Sequence, residues 1–421
     1  MEMAKFLING GEKLKGEITV AGSKNTVLPC IAASILTAED IILENVPAIS
    51  DVLTMIDILK NLGARAHYDE NGKILSISAR ELSSSTVLEQ FSIKMRASFL
   101  LAGPLLGRMR KVELCYPGGD KLGARPLSTH FNAFRSLGAI ILEDKKIHID
   151  GSNLKGAVFT LDEPSVTATE NIIMASCLTN GITEVHLAAI EPHIQELVKF
   201  LNLMGAKISW KDFGTLRIEG VKKMTRATFK INPDELEVSG FAALAAATGS
   251  ELMIKGVDFK YLDAVILQLG KMGVRYKILD NDLFIETSNK KYQAFRIQSG
   301  LYPKLTSDHL PPFAVLATQA QGDSLIHEWL YEDRLKYIEE LKKMGAQTKI
   351  LDPHRAVITG PTGLHGAEMI SYDVRAGLTV VIAALVSKGE TKISDIEHID
   401  RGYEHLEERL KKIGADISRI N

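Results

Sequence analysis

LKNLGA (59–64), LNLMGA (201–206), LKKMGA (341–346) and LKKIGA (410–415) are four copies of one phrase, L-x-x-φ-G-A, with φ apolar. Two looser copies, FRSLGA (134–139) and LGKMGV (269–274), complete a series whose glycines stand at 63, 138, 205, 273, 345 and 414. Spacings of 75, 67, 68, 72 and 69 residues are too even for chance and mark an internal repeat. Each phrase reads as the end of an amphipathic helix, where glycine takes the left-handed conformation without a Cβ clash. Two short β-prone runs joined by a polar turn follow five of the copies, as in RAHYDENGKILSIS (65–78), KISWKDFGTLRIEG (207–220) and QTKILDPHRAVITG (347–360). The sixth copy is followed by DISRI alone, so its second strand must come from elsewhere. The lone strand before Lys15 is the natural donor.

A second helix in each unit has a different character. TVLPCIAASILTA (26–38), RASFLLAGPLLG (96–107), GFAALAAATG (240–249) and AGLTVVIAALVSKG (376–389) are apolar nearly all round, which marks buried helices. A strand such as DIILENV or KVELCY follows each one, so the unit reads β-α-β-α-β-β. Six units predict an α/β protein of two similar lobes, three repeats per lobe, with helices inside and sheets outside. This is an inside-out barrel, or α-β prism, with the active site expected in a cleft between lobes. The repeat phase puts one lobe at 22–232, including the glycine-rich loop around Asp120, and the other at 1–21 plus 233–421.

Composition narrows the function. Fifty basic and fifty-two acidic side chains among 421 residues give a net charge of −2, so no bulk field draws the chain to nucleic acid or lipid headgroups. Cys30, Cys115 and Cys177 form no CxxC pair, which argues against a disulfide framework or a zinc site. The opening MEMAKFLINGGEKLKGEITV has no apolar leader core, and no run approaches eighteen apolar residues. These features predict a soluble, cytoplasmic protein.

Polar residues gather at the starts of the buried helices: Lys24 and Asn25, Lys94 and Arg96, Ser165 and Thr167, Asp234 and Glu235, Ser307 and Asp308, Asp373 and Arg375. Ser165, Asp234 and Ser307 read first as ordinary N-caps. Lys24, Arg96 and Arg375 do not, because a cation opposes the helix dipole there and so points to a bound anion. YPGGDKLGARP (116–126) reads as a mobile loop with few packing contacts. HIDRGYE (398–404) is expected to open the last amphipathic helix with Arg401 in its first turn. By its setting in HEWLYEDR (327–334), Arg334 reads as a solvated charge.

GSKN (22–25), KMRAS (94–98), PGG-x-x-x-GARP (117–126), SYDVRA (371–376) and HIDRGYE together give the chain a resemblance to the enolpyruvyl transferases along its whole length. GSKN and PGG-x-x-x-GARP favour the branch acting on a sugar nucleotide over the branch acting on shikimate 3-phosphate. The resemblance implies transfer of the enolpyruvyl group of phosphoenolpyruvate to the 3′-hydroxyl of UDP-N-acetylglucosamine by addition and elimination, with release of phosphate. No metal and no organic cofactor are implied, and no protein partner is indicated.

By the same resemblance, Lys24 and Asn25 lie at the phosphoenolpyruvate site, and Arg125 and Arg401 hold phosphate and carboxylate. Asp120 takes the position of the proton donor, and Asp308 is the general base. Arg96, the run Arg125, Pro126, Leu127, Ser128 and Thr129, Ser165, Val166, Leu330, Arg334, Asp373 and Arg375 contribute to substrate binding. Two departures stand out. Asp120 occupies the place where most of the family has cysteine, which implies resistance to fosfomycin, an epoxide that alkylates that thiolate. Ser128 replaces an acidic residue two places before His130. Cys115 reads as a small core residue. A catalytically silent nucleotide-sugar-binding homologue is the competing reading, and the retention of Lys24, Asn25, Asp120, Arg125, Asp308 and Arg401 together speaks against it.

Overall fold

The computed structural model describes residues 4–120, 122–287 and 291–420. The repeated phrase is a helix stop built the same way six times. Gly63, Gly138, Gly205, Gly273, Gly345 and Gly414 all have φ between +79° and +101°. In each copy the N–H of the sixth residue donates to the carbonyl of the first, from Ala64 to Leu59 through to Ala415 to Leu410, at 3.0–3.1 Å. That 6→1 bond is the Schellman closure, which satisfies a carbonyl the helix leaves open. The leading Leu or Phe and the φ residue are buried in every copy. Each phrase thus ends a helix and pins its last turn to the core.

The chain divides into two compact units, Gly22–Gly119 with Arg125–Asn232, and Met1–Ala21 with Asp120–Ala124 and Pro233–Asn421. The loop tip therefore departs from the expected division, which left the whole loop with 22–232. Ala124 N–H donates to Glu332 Oε1 at 3.1 Å, and Asp333 N–H donates to the Leu122 carbonyl at 3.3 Å. These bonds hold the tip to the second unit, so the loop is not the contact-poor segment its glycines suggested.

Within the second unit, three central helices, Glu235–Thr248, Leu310–Gln319 and Val374–Val386, each pack on the other two. Every residue of Glu235–Thr248 except Thr248 is buried, as its unbroken apolar run requires. Three four-stranded sheets surround these helices. One runs Arg296–Gln298, Gly322–His327, Arg355–Gly360, Gln347–Asp352. Another runs Glu368–Ile370, Gly389–Ser394, Lys5–Gly10, Asp416–Ile420. Lys5–Gly10 thus fills the place that the second hairpin strand takes in the neighbouring repeat. It pairs antiparallel on both sides, with Ile8 opposite Thr391 and Ile417. Lys15–Thr19 supplies the parallel edge strand of the third sheet, against Glu251–Lys255.

The first unit repeats the plan with Lys24–Ala33, the turn Arg96–Leu101 running into Ala102–Met109, and Val166–Cys177. Its parallel strand Ala227–Lys230 closes the first repeat against Asp40–Glu44. One sheet has only three strands, its fourth reduced to a bridge between Thr86 and Glu113. Strands such as Asp40–Glu44 alternate exposed and buried side chains, so each sheet turns one face to the helices and one to solvent.

Close approach of the central helices depends on Gly103. Its N–H donates to Asn171 Oδ1 at 2.7 Å, and a Cβ there would stand 2.3 Å from the Asn171 carbonyl oxygen. Backbone cannot yield as a side-chain tip can. Gly103→Ala should therefore destabilise the first unit by about 1–3 kcal/mol through overpacking. Urea unfolding checks this, and an unchanged midpoint would show that the two helices part without cost.

Candidate active site

In the second unit, the start of Val374–Val386 is capped twice by Asp373, whose Oδ1 accepts from the N–H groups of Arg375 and Ala376 at 2.8 and 2.9 Å. The cap fixes Arg375 at the mouth of the helix. Arg375 Nε donates to Asp308 Oδ2 at 3.3 Å, and Nη1 donates to the Tyr403 hydroxyl at 3.0 Å. Arg334 Nη2 donates to Asp308 Oδ1 at 2.9 Å. Arg334 is 3% exposed, so it is a buried partner of Asp308 and not the solvated charge expected from its neighbours. Asp308 itself sits in the single turn Ser307–His309 that leads into Leu310–Gln319, with Pro311 and Pro312 tolerated in the first helical turn.

Burial pushes the Asp308 carboxyl up, but the two guanidiniums outweigh it and hold the group well below the usual carboxylate range. A carboxylate held that low is a weak proton acceptor, so a base role requires an arginine to be drawn off it. Its stabilising charge is present above the unfolded value of about 3.9 and is lost as pH falls towards the folded value. Asp308→Asn should cost about 1–3 kcal/mol at pH 7, because two buried guanidiniums lose their counter-charge. The gap between variant and parent should narrow at pH 3. Urea titrations at both pH values check this, and equal gaps would contradict the charge argument.

Asp120 meets Arg401 in the same unit. Arg401 Nη1 donates a short hydrogen bond to Asp120 Oδ1, and both side chains are 15% exposed. Arg401 is not in the first turn of the last amphipathic helix, which is Leu406–Lys412. It caps the carboxyl end of a separate short helix, Glu397–Asp400, with its N–H donating to the Glu397 carbonyl. The left-handed His405, at the start of Leu406–Lys412, separates the two helices. His398 stands one turn earlier, its Nδ1 3.4 Å from the same Asp120 oxygen. Leu330 is exposed, with its N–H on Glu328 Oε1 at 2.8 Å.

Asp234 caps its helix as expected, accepting from Leu236 N–H at 2.8 Å. Ser307 does not cap, because its hydroxyl donates to Glu328 instead. The neighbouring Glu235 is buried, and desolvation together with Asp234 pushes its carboxyl up to about 8.

The first unit holds the remaining candidates. Lys24 opens Lys24–Ala33 and pairs with Asp51 at 2.8 Å, both side chains nearly buried. The cation at this helix start thus already has a carboxylate from its own chain. Asn25 beside it is half-buried. Arg96 begins its turn with Nη2 3.5 Å from the Pro126 carbonyl, and Arg125 is half-buried next to it. Leu127 precedes the helix Ser128–Ser136. Ser128 is exposed, whereas Thr129 is buried and its Oγ1 donates to Glu163 at 3.4 Å. Ser165 stands at the cap of Val166–Cys177 without a side-chain capping bond. His130 Nε2 meets Thr167 Oγ1 at 2.9 Å, and burial, then Arg96, lower its pKa to about 3. Cys115 is buried, and burial raises its thiol. Among the described residues, no group of three or more His, Cys, Asp or Glu is placed to hold a metal ion.

The sequence model of EPSP synthase (3-phosphoshikimate 1-carboxyvinyltransferase) matches residues 8–410. A UDP-N-acetylglucosamine 1-carboxyvinyltransferase of Treponema denticola is 43% identical over 99% of both chains. Another from Bacteroides fragilis is 40% identical over 99% of this chain and all of its own. The chain belongs to the UDP-N-acetylglucosamine 1-carboxyvinyltransferases. Among solved structures, the enolpyruvyl transferase NikO from Streptomyces tendae matches all of the chain with a TM-score of 0.91 at 23% identity. EPSP synthase from Acinetobacter baumannii matches with 0.77 at 20%. Both show the fold, which is the two-lobed α/β fold expected from the repeats.

For a carboxyvinyltransferase, the residues that sequence reasoning passed over are His398 and Asp51. His398 and Arg401 lie three apart, a spacing that puts both on one helical face and could have flagged the pair. Nothing local announced Asp51 as the partner of Lys24.

Proposed function

We propose that this chain transfers the enolpyruvyl group of phosphoenolpyruvate to the 3′-hydroxyl of UDP-N-acetylglucosamine, releasing phosphate, as the first committed step of peptidoglycan synthesis. Asp120 is the acid that protonates C3, while the sugar hydroxyl attacks C2. Arg401, Arg125 and Lys24 hold the phosphate and carboxylate, a task for which the planar guanidinium fork is suited. Asp308 accepts the hydroxyl proton once its arginines engage substrate. Arg96, the 125–129 run, Ser165, Val166, Leu330, Arg334, Asp373 and Arg375 bind and orient the sugar nucleotide. Reaction runs in the cytoplasm, a reducing compartment that suits three free, buried cysteines.

The observation that supports this most is the Asp120–Arg401 pair. It puts a candidate proton donor directly on a candidate anion clamp. The match to the shikimate-branch sequence model favours one other substrate enough to test. Phosphate release is to be measured with phosphoenolpyruvate and either UDP-N-acetylglucosamine or shikimate 3-phosphate. Turnover only with the sugar nucleotide is expected. Turnover only with shikimate 3-phosphate would reassign the branch, and none with either would make the chain a silent homologue.

A further inference from the structure

To act as the acid, Asp120 must first be released from its pair with Arg401 and take up a proton. It is held on Arg401, a cation that favours the carboxylate form, and a carboxylate has no proton to give. Arg401 is also the group a substrate anion would need. Asp120 occupies Nη1 of that guanidinium, so a phosphate or carboxylate that takes over this N–H displaces Asp120 from it. His398 faces the same Asp120 oxygen, its Nδ1 3.4 Å away. That nitrogen is buried and makes no hydrogen bond of its own.

We propose that His398 is a positioning and proton-supplying residue that arms Asp120 when substrate takes over Arg401. The inference rests on the reading of Asp120 as acid and Arg401 as clamp. In the step, the Nδ1–H bond of the imidazolium breaks and an O–H bond forms on Asp120. The ring becomes neutral and the carboxylate becomes a carboxylic acid, so charge and proton balance. Asp120 then protonates C3, and the proton lost from C3 on elimination returns to it. With its side chain 30% exposed, the ring can reload from water.

Among the described residues, the charged groups that act on the ring are Asp120 from the loop tip and Glu397 and Arg401 from its own segment. The Asp120 carboxylate beside it, against burial and Arg401, raises the His398 pKa above its ordinary value. The neighbouring carboxylate thus favours the imidazolium, the form that has a proton to give. Substrate binding supplies the other half. It removes the arginine from Asp120 and puts an anion near it, both of which favour the protonated acid.

His398→Asn keeps an N–H at the Nδ1 position but cannot titrate, and His398→Ala leaves a space that free imidazole can enter. At saturating UDP-N-acetylglucosamine and pH 8, kcat of His398→Asn should fall roughly ten- to a hundredfold. KM for phosphoenolpyruvate should stay within about threefold. The deficit should shrink towards pH 5.5, where solvent protons load Asp120 directly, and imidazole should restore part of the turnover of His398→Ala. A loss of equal size at every pH, or no loss, overturns the proposal. Asp120→Asn separates the two layers. If that variant keeps its turnover, the assignment of the acid fails. If it is inactive while His398→Asn behaves like the parent, only the role of His398 fails.

Discussion

Arg401→Ala should lower kcat/KM for phosphoenolpyruvate by the equivalent of about 2–5 kcal/mol, roughly thirtyfold to several thousandfold. The magnitude follows from burial. Arg401 and Asp120 are each 15% exposed, so an anion held there is largely out of water and poorly compensated when its cation is removed. Removing the guanidinium also takes a cation away from Asp120, which favours its protonated form. The damage should therefore fall on capture of phosphoenolpyruvate more than on the proton transfer itself. Arg401→Lys should recover part of the affinity but not the planar two-point grip. Steady-state kinetics at saturating UDP-N-acetylglucosamine decide the matter. A variant within threefold of the parent would remove Arg401 from the anion site.

Asp120→Cys should keep turnover and acquire rapid, time-dependent inactivation by fosfomycin, whereas the parent should show none. A thiolate opens an epoxide readily, and a carboxylate is a far poorer nucleophile towards it. The thiol of an ordinary cysteine titrates near about 8.5, against about 3.9 for an aspartic acid. The alkaline limb of the pH–rate profile should therefore move when the acid changes from carboxyl to thiol. Asp120→Asn, which has no proton to give, should lose about 10²–10⁴-fold in kcat. Intact-mass measurement after incubation with fosfomycin reads the outcome. A covalent adduct on the parent at any residue would sink the idea that its acid is a carboxylate beyond the reach of the epoxide.

Six copies of L-x-x-φ-G-A state their own physics. The glycine, the carbonyl five residues before the closing N–H and the buried Leu all lie within one phrase, so the helix stop and its core contact are legible without any neighbour. Apolar runs with no polar face named the central helices, and the missing second strand after the sixth copy pointed to Lys5–Gly10. The chain by itself also carried the motifs that place it among the carboxyvinyltransferases. Each of these is a local pattern, or a pattern repeated at a fixed period.

Charge pairing is not of that kind. Asp120 and Arg401 are 281 residues apart, Asp308 and Arg375 67, and Arg334 looked solvated until the fold buried it under Asp308. Lys24 looked like a cation awaiting an external anion until Asp51 proved to be beside it. Composition at a helix start tells which side chains are available but not which oxygen they meet. That choice is made by the packing of helices and turns from distant parts of the chain, because an ion pair needs a separation of a few ångströms and sequence distance does not fix it. The repeat determined the frame, and only the tertiary structure decided that the candidate acid rests on the candidate clamp, with a histidine next to both.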